Sequence, residues 1–147
     1  MSNTSNQKRR RAERTRAFIE ELIKRFPACF TADAKAVRPL AIGIEKELKK
    51  ALAVDGDNAP PGWLIRQALA RYTRSPAYLA AVMAGGDRID LQGATVEPVS
   101  ESAIEHARER RAEQKARAAE RRRQKAEEAA EKRQQEKLQR LADHFNQ

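Results

Sequence analysis

The sequence predicts a mainly α-helical protein: a compact domain of about five helices with a small β-hairpin, followed by a long exposed basic helix. Three observations lead there. Apolar residues recur at helical spacing over several stretches separated by Pro and Gly. Only one short region alternates polar and apolar residues. Beyond Ala107 no large apolar residue appears until Leu138, and the intervening Ala, Glu, Gln, Lys and Arg are all good helix formers.

Residues 1 to 7 are polar and are expected to fray. The first helix is expected from about Arg9 to Phe26, with Phe18, Ile19, Leu22, Ile23 and Phe26 on one face and Pro27 ending it. Thr31 to Arg38 has no period and reads as a loop. A second helix lies within Pro39 to Val54, its stripe being Ile44, Leu48 and Leu52; Gly43 near its start would permit close backbone approach. The turn formers of Asp55 to Gly62 precede a third helix with Leu64, Ala68, Leu69 and Tyr72 inward and Trp63 at its lip. Ser75 fits an N-cap with Pro76 at the first helical position, and Gly85-Gly86 stops the short helix carrying Tyr78, Leu79, Val82 and Met83. Arg88 to Leu91 and Thr95 to Val99 read as strands joined by a tight turn at Gln92-Gly93. Either Ser100 or Ser102 starts the last helix, the latter within a Ser102–Glu105 capping box. Its exposed part offers Glu113–Arg117, Glu128–Lys132 and Glu136–Arg140 as ion pairs and has no heptad seam for dimerisation.

The net charge of +9 is unevenly spread. Lys8 to Arg16 holds six basic residues and one acid, and Arg108 to Arg140 thirteen and seven, whereas residues 17 to 107 hold eleven and twelve. The division expected is a basic arm over 1–16, a nearly neutral domain over 17–107, and a charge-rich arm, helical or partly disordered, over 108–147. Cationic arms on a neutral body suit a polyanion, because Lys and Arg displace condensed counterions from phosphates. Cys29 is the single cysteine, which excludes an intrachain disulfide and fits a reducing compartment; between Ala28 and Phe30 it reads as a small buried residue. His106 and His144 stand apart with no second ligand at metal spacing, so neither a metal nor a cofactor is expected. No apolar run approaches a membrane span and no signal-peptide core follows the basic start, so a cytoplasmic protein is expected.

One segment concentrates chemistry. The Ser75-Pro76 helix start leaves backbone N–H groups and the positive helix end available to a phosphate. Thr73 and Ser75 add hydroxyls and Arg74 adds charge. Tyr78 would point back to that first turn and stack on a base or ribose, and Arg88 would close the site with a bidentate phosphate contact. The plainer alternative is that Ser75 only caps, Tyr78 packs in the core and Arg88 ends a strand.

Five segments resemble the ProQ/FinO family of bacterial RNA chaperones, in order and with similar spacing over roughly residues 18 to 107. They are Arg25-Phe-Pro-Ala-Cys-Phe30, Arg38-Pro-Leu-Ala-Ile-Gly-Ile44, Leu69-Ala-Arg-Tyr-Thr-Arg-Ser-Pro-Ala-Tyr-Leu79, Gly86-Asp-Arg-Ile-Asp-Leu-Gln-Gly93 and Glu105-His-Ala-Arg108. The resemblance implies a FinO-like domain that binds structured small RNAs and mRNA 3′ ends at the base of a terminator hairpin and its single-stranded uridine tail. Binding would stabilise these RNAs or promote RNA–RNA pairing in post-transcriptional regulation. It also implies that Tyr78 and Arg88 lie on a concave RNA-binding face, that Thr73 to Pro76 form a pocket for the 3′-terminal nucleotide, and that Arg38 and Arg66 are basic positions near it. Lys8, Arg9, Arg10, Arg11, Arg121, Arg122 and Arg123 would add sequence-independent affinity. Ala41, Ala70 and Ala77 stand where some relatives carry basic residues. Arg71 and Arg74 lie nearby, although positions 70 and 71 point about 100° apart on a helix, which turns Arg71 elsewhere. The chain looks like a minimal member, expected to be a monomer when free. A ribosome- or DNA-associated protein using its arms nonspecifically is the competing reading. An enzyme is not expected, since no nucleophile–base pair and no Gly-rich phosphate loop is present.

Overall fold

The α3 helix (Gly62–Arg74) packs against three others: α1 (Ser2–Arg25), α2 (Ile44–Leu52) and α4 (Pro76–Met83). The protein is described here by a computed structural model covering residues 2–146. A 3-10 segment, Ala53–Asn58, links α2 to α3; after α4 come strands β1 (Asp87–Ile89) and β2 (Thr95–Pro98), then α5 (Glu101–Phe145). Mainly helical with one two-stranded antiparallel sheet, this is the architecture the apolar spacing predicts. Contacts divide the chain into two units after Arg108.

The helical stripes meet in one core. Leu22, Phe30, Leu48, Leu52 and Ile89 are its largest fully buried side chains, and Ala68 of α3 is likewise closed to solvent. Ile65 joins them, off the inward stripe expected for α3. Phe30, Tyr72 and Tyr78 form an edge-to-face series with centroids 5.1 and 6.0 Å apart. The Tyr72 hydroxyl accepts from the Thr31 N–H at 3.2 Å and that of Tyr78 from the Leu40 N–H at 3.1 Å. Arg25 closes the other end of α1 by a two-pronged bond to Asp55, at 2.7 and 3.2 Å, which raises the arginine's pKa.

Several boundaries differ from expectation. Helix α1 begins at Ser2, not Arg9: once a helix is nucleated each added residue gains a hydrogen bond, and nothing from Ser2 to Gln7 forbids it. The turn between β1 and β2 is longer than a two-residue hairpin, with paired residues Ile89 and Thr95 flanking it. Asp90 accounts for this, its carboxylate accepting from the N–H groups of Gln92 and Ala94, both at 2.9 Å. Gly93 completes the turn at φ +80°, and a Cβ there would lie 2.9 Å from Ala28. At Gly43 the space is open, so the residue serves a left-handed backbone (φ +84°) and not close approach. Leu40 adds a single parallel bridge to Ile89, with Ala41 N–H to Ile89 O and Ile89 N–H to Pro39 O both at 2.8 Å.

Ser100 starts α5, its hydroxyl accepting from the Ala103 N–H at 3.1 Å, so the Ser102 capping box is not used. Ala107 is the last buried residue of that helix. Among the described residues of the second unit the ion pairs are Glu120–Arg123 and Arg123–Glu127, not the three expected. Exposed pairs contribute little against side-chain entropy, so spacing selects among them weakly.

Burial pushes the Cys29 thiol up to about 12, with Asp90 and Glu47 adding to the effect, and burial raises Tyr72 as well. A thiol with a raised folded pKa keeps its full stabilisation below the unfolded value, near 9, and loses it as pH climbs toward 12. Urea unfolding from pH 8 to 11 is therefore expected to show falling stability, by up to about 1.4 kcal/mol per pH unit from Cys29. A Cys29→Ala variant should show a shallower fall, and identical slopes would rule out this origin.

Candidate nucleic-acid interface

Ser75 and Pro76 shape the start of α4. The Ser75 side chain accepts from the Tyr78 N–H at 3.1 Å and donates to the Tyr72 carbonyl at 2.9 Å, while Pro76 lacks an N–H to satisfy. Leu79 N–H reaches the Ser75 carbonyl at 3.0 Å. The cap thus leaves the Ala77 N–H as the first-turn donor without a capping partner, at the positive end of the helix. The Thr73 hydroxyl is turned to its own helix, donating to Leu69 O at 2.8 Å, so it does not extend toward that turn as expected.

Cations flank this turn on two sides. On one, α1 and α3 enclose an open groove of 880 Å³ that reaches Ser75 and Pro76 and is lined by Lys8, Arg11, Arg71 and Arg74. On the other, a cleft of 480 Å³ holds Lys35 and Arg38 beside Ala77, with Asp87 as its one acid. Arg66 is exposed on α3 and lines neither.

Tyr78 and Arg88 take different positions from those first expected. The Tyr78 ring is 7% exposed, so it packs in the core and is not presented for stacking. Arg88 is half-buried and donates from one amino group to the Leu40 carbonyl at 2.9 Å. Its Nε is buried without a partner. The two side chains therefore hold the two polar groups of one residue: Tyr78 takes the Leu40 N–H and Arg88 the Leu40 carbonyl. They fix the segment that carries Arg38.

Of the arm residues, Lys8 and Arg11 belong to the groove, and Arg10 and Arg11 border a small pocket at Trp63. Arg9 is exposed. Arg121, Arg122 and Arg123 lie in the second unit, with Arg123 bonded to Glu120 and Glu127. Arg71 was expected to face elsewhere, yet Ala70 and Arg71 line one groove because it is wide enough to span adjacent positions. The signal for it is a repeated spacing: 8, 11, 12 and 15 on α1 and 67, 70, 71 and 74 on α3. Lys35 carried no such signal, being in a loop.

The family model described as the ProQ/FINO family matches residues 12–126. The chain belongs to the ProQ/FinO family. Proteins named RNA chaperone ProQ from Aeromonas salmonicida and Aeromonas hydrophila are each 39% identical over 103 residues, or 70% of this chain. Those residues make up 48% and 47% of the two relatives, so the chain spans about half the length of the curated relatives it matches. The solution structure of a ProQ homolog from Legionella pneumophila is similar at a TM-score of 0.56 and 33% identity, covering 65% of this chain and 78% of that one. The crystal structure of a FinO-like RNA chaperone from Neisseria meningitidis gives 0.54 and 27%, covering 66% and 73%. The ProQ/FinO helices and small sheet are thus shared with solved members. Among the described residues no group of His, Cys, Asp and Glu is placed to hold a metal, and no helix is long and apolar enough to cross a membrane.

Because Tyr78 serves both the core and Leu40, its variants separate two effects. Tyr78→Phe keeps the packing but strands a buried N–H, and is expected to cost about 1–3 kcal/mol in chemical denaturation. Tyr78→Ala adds a cavity, for about 3–5 kcal/mol in all. Equal stability of Tyr78→Phe and the unaltered protein would show that the Leu40 bond is immaterial.

Proposed function

We propose that this protein is an RNA chaperone that binds structured RNAs through a single-stranded 3′ end. The observation that carries the reading is the capped first turn of α4 between two cationic clefts. An RNA end fits that arrangement chemically. The Ala77 N–H and the helix end favour an anionic or hydroxyl oxygen, while Arg74 and Arg38 provide charge to either side. In this reading Ser75 shapes the turn, and Thr73 keeps its hydroxyl on its own helix. Tyr78 and Arg88 hold the Leu40 peptide and with it the segment that carries Arg38, and Arg66 contributes at the periphery. The names borne by the relatives support the RNA-chaperone class.

The partner is a hairpin with a single-stranded 3′ tail. An A-form duplex keeps its base edges in a deep, narrow groove, so recognition there rests on shape, phosphates and 2′-hydroxyls. A strand end supplies selectivity that a duplex alone does not. The arms, Lys8 to Arg11 and Arg121 to Arg123, then raise affinity through counterion release, which salt weakens. Stabilisation of transcripts or pairing of two RNAs follows from holding ends and screening charge, with no catalytic step.

A gel-shift titration with a terminator hairpin and uridine tail tests this. A free 3′-hydroxyl is expected to bind roughly 10-fold more tightly than a 3′-phosphate, because the turn offers a single unused backbone donor and a terminal phosphate would be desolvated there with its remaining oxygens unpaired. Arg88→Ala should narrow that difference. Equal affinity for both ends would remove the end-binding reading.

A further inference from the structure

The groove between α1 and α3 contains more order than a general basic surface. Its walls are two helical stripes, Lys8, Arg11, Ala12 and Thr15 facing Gln67, Ala70, Arg71 and Arg74. Where Thr15 and Gln67 approach, with Oγ1 and Oε1 3.4 Å apart, the walls converge, and the cations occupy the other ends of both stripes. No acidic side chain lines it. The alanines at 12 and 70 leave the space between the walls open. Arg11 is also held from outside, its guanidinium lying 5.2 Å from the Trp63 ring centroid.

We infer that this groove binds the sugar–phosphate backbone of single-stranded RNA running away from the strand end held at α4. The inference rests on the proposed end-binding function and gives Lys8, Arg11, Arg71 and Arg74 a defined place in it. Each stripe spans seven residue steps, or about 10 Å, long enough to lie along the backbone of a short run of nucleotides. Lys8 and Arg11 are then part of a located site and not of a diffuse arm.

The test uses the full chain with two hairpins that share a free 3′-hydroxyl, one with a tail of about eight uridines and one cut to about two. The double variant Arg11→Gln/Arg71→Gln is compared with Arg121→Gln/Arg122→Gln, which removes equal charge from the second unit. The groove variant is expected to lose roughly 10-fold in affinity for the long tail and far less for the short one. Its salt dependence on the long tail should flatten by about 1.4 in the log–log slope, two phosphates' worth for single strands. The second-unit variant should weaken both RNAs by a common factor. Loss of affinity by the groove variant that is equal for the two tails, or an unchanged preference for the long tail, would overturn the inference. Failure of the end-binding reading shows separately, as indifference of the unaltered protein to a 3′-phosphate. Unaltered thermal unfolding of the variants excludes a folding defect, since Arg11 and Arg71 are both exposed.

Discussion

Two phenol hydroxyls determine how this fold accommodates its one long irregular segment. Between α1 and α2 the chain runs from Phe26 to Gly43 without a helix or a full strand, and its buried polar groups still need partners. Tyr72 takes the N–H of Thr31 and Tyr78 that of Leu40. Both rings stand in one edge-to-face series with Phe30, so the partners are rigidly placed by the core. Ile89 then captures the peptides on either side of Leu40 through its own backbone. The loop cations Lys35 and Arg38 thereby have fixed positions although they stand on no regular element.

A second constraint is electrostatic. The domain proper is close to neutral, and four of its cations, Lys35, Arg38, Arg71 and Arg74, line the clefts beside the start of α4. Continuation of α1 well before the first core residue, Phe18, adds to them, because it carries Lys8 and Arg11 alongside α3. A frayed arm would have carried the same charge without a wall for a ligand to lie against. Affinity and placement are in this way obtained from the same residues.

Much of this was legible from residue spacing. The apolar stripes of α1 to α3 identified Phe18, Leu22, Ile44, Leu48, Leu52, Leu64, Ala68, Leu69 and Tyr72 as inward, and they are buried. The Ser75 cap and Pro76 were readable because capping chemistry is local. What sequence could not supply was the direction of side chains whose partners are distant. Tyr78 at the third helical position faces Leu40, 38 residues earlier, and no local rule foretells that bond. Arg88 is drawn to the same residue. Gln92-Gly93 fits a tight hairpin by local rules, whereas the longer turn depends on the Asp90 carboxylate reaching the N–H groups of Gln92 and Ala94. Groove membership of Arg71 was hidden by considering one helix alone, when the cleft is made by two.

Trp63 has a consequence of another kind. It is the chain's only tryptophan, half-buried, with Arg11 and Arg14 of α1 at 5.2 and 5.4 Å from its ring. Indole emission responds to the polarity and charge immediately around it, and here the charge beside the ring is supplied by the early turns of a single helix. The molecule therefore possesses an intrinsic optical gauge of whether α1 is seated on α3, readable in the unlabelled protein as salt or temperature is varied.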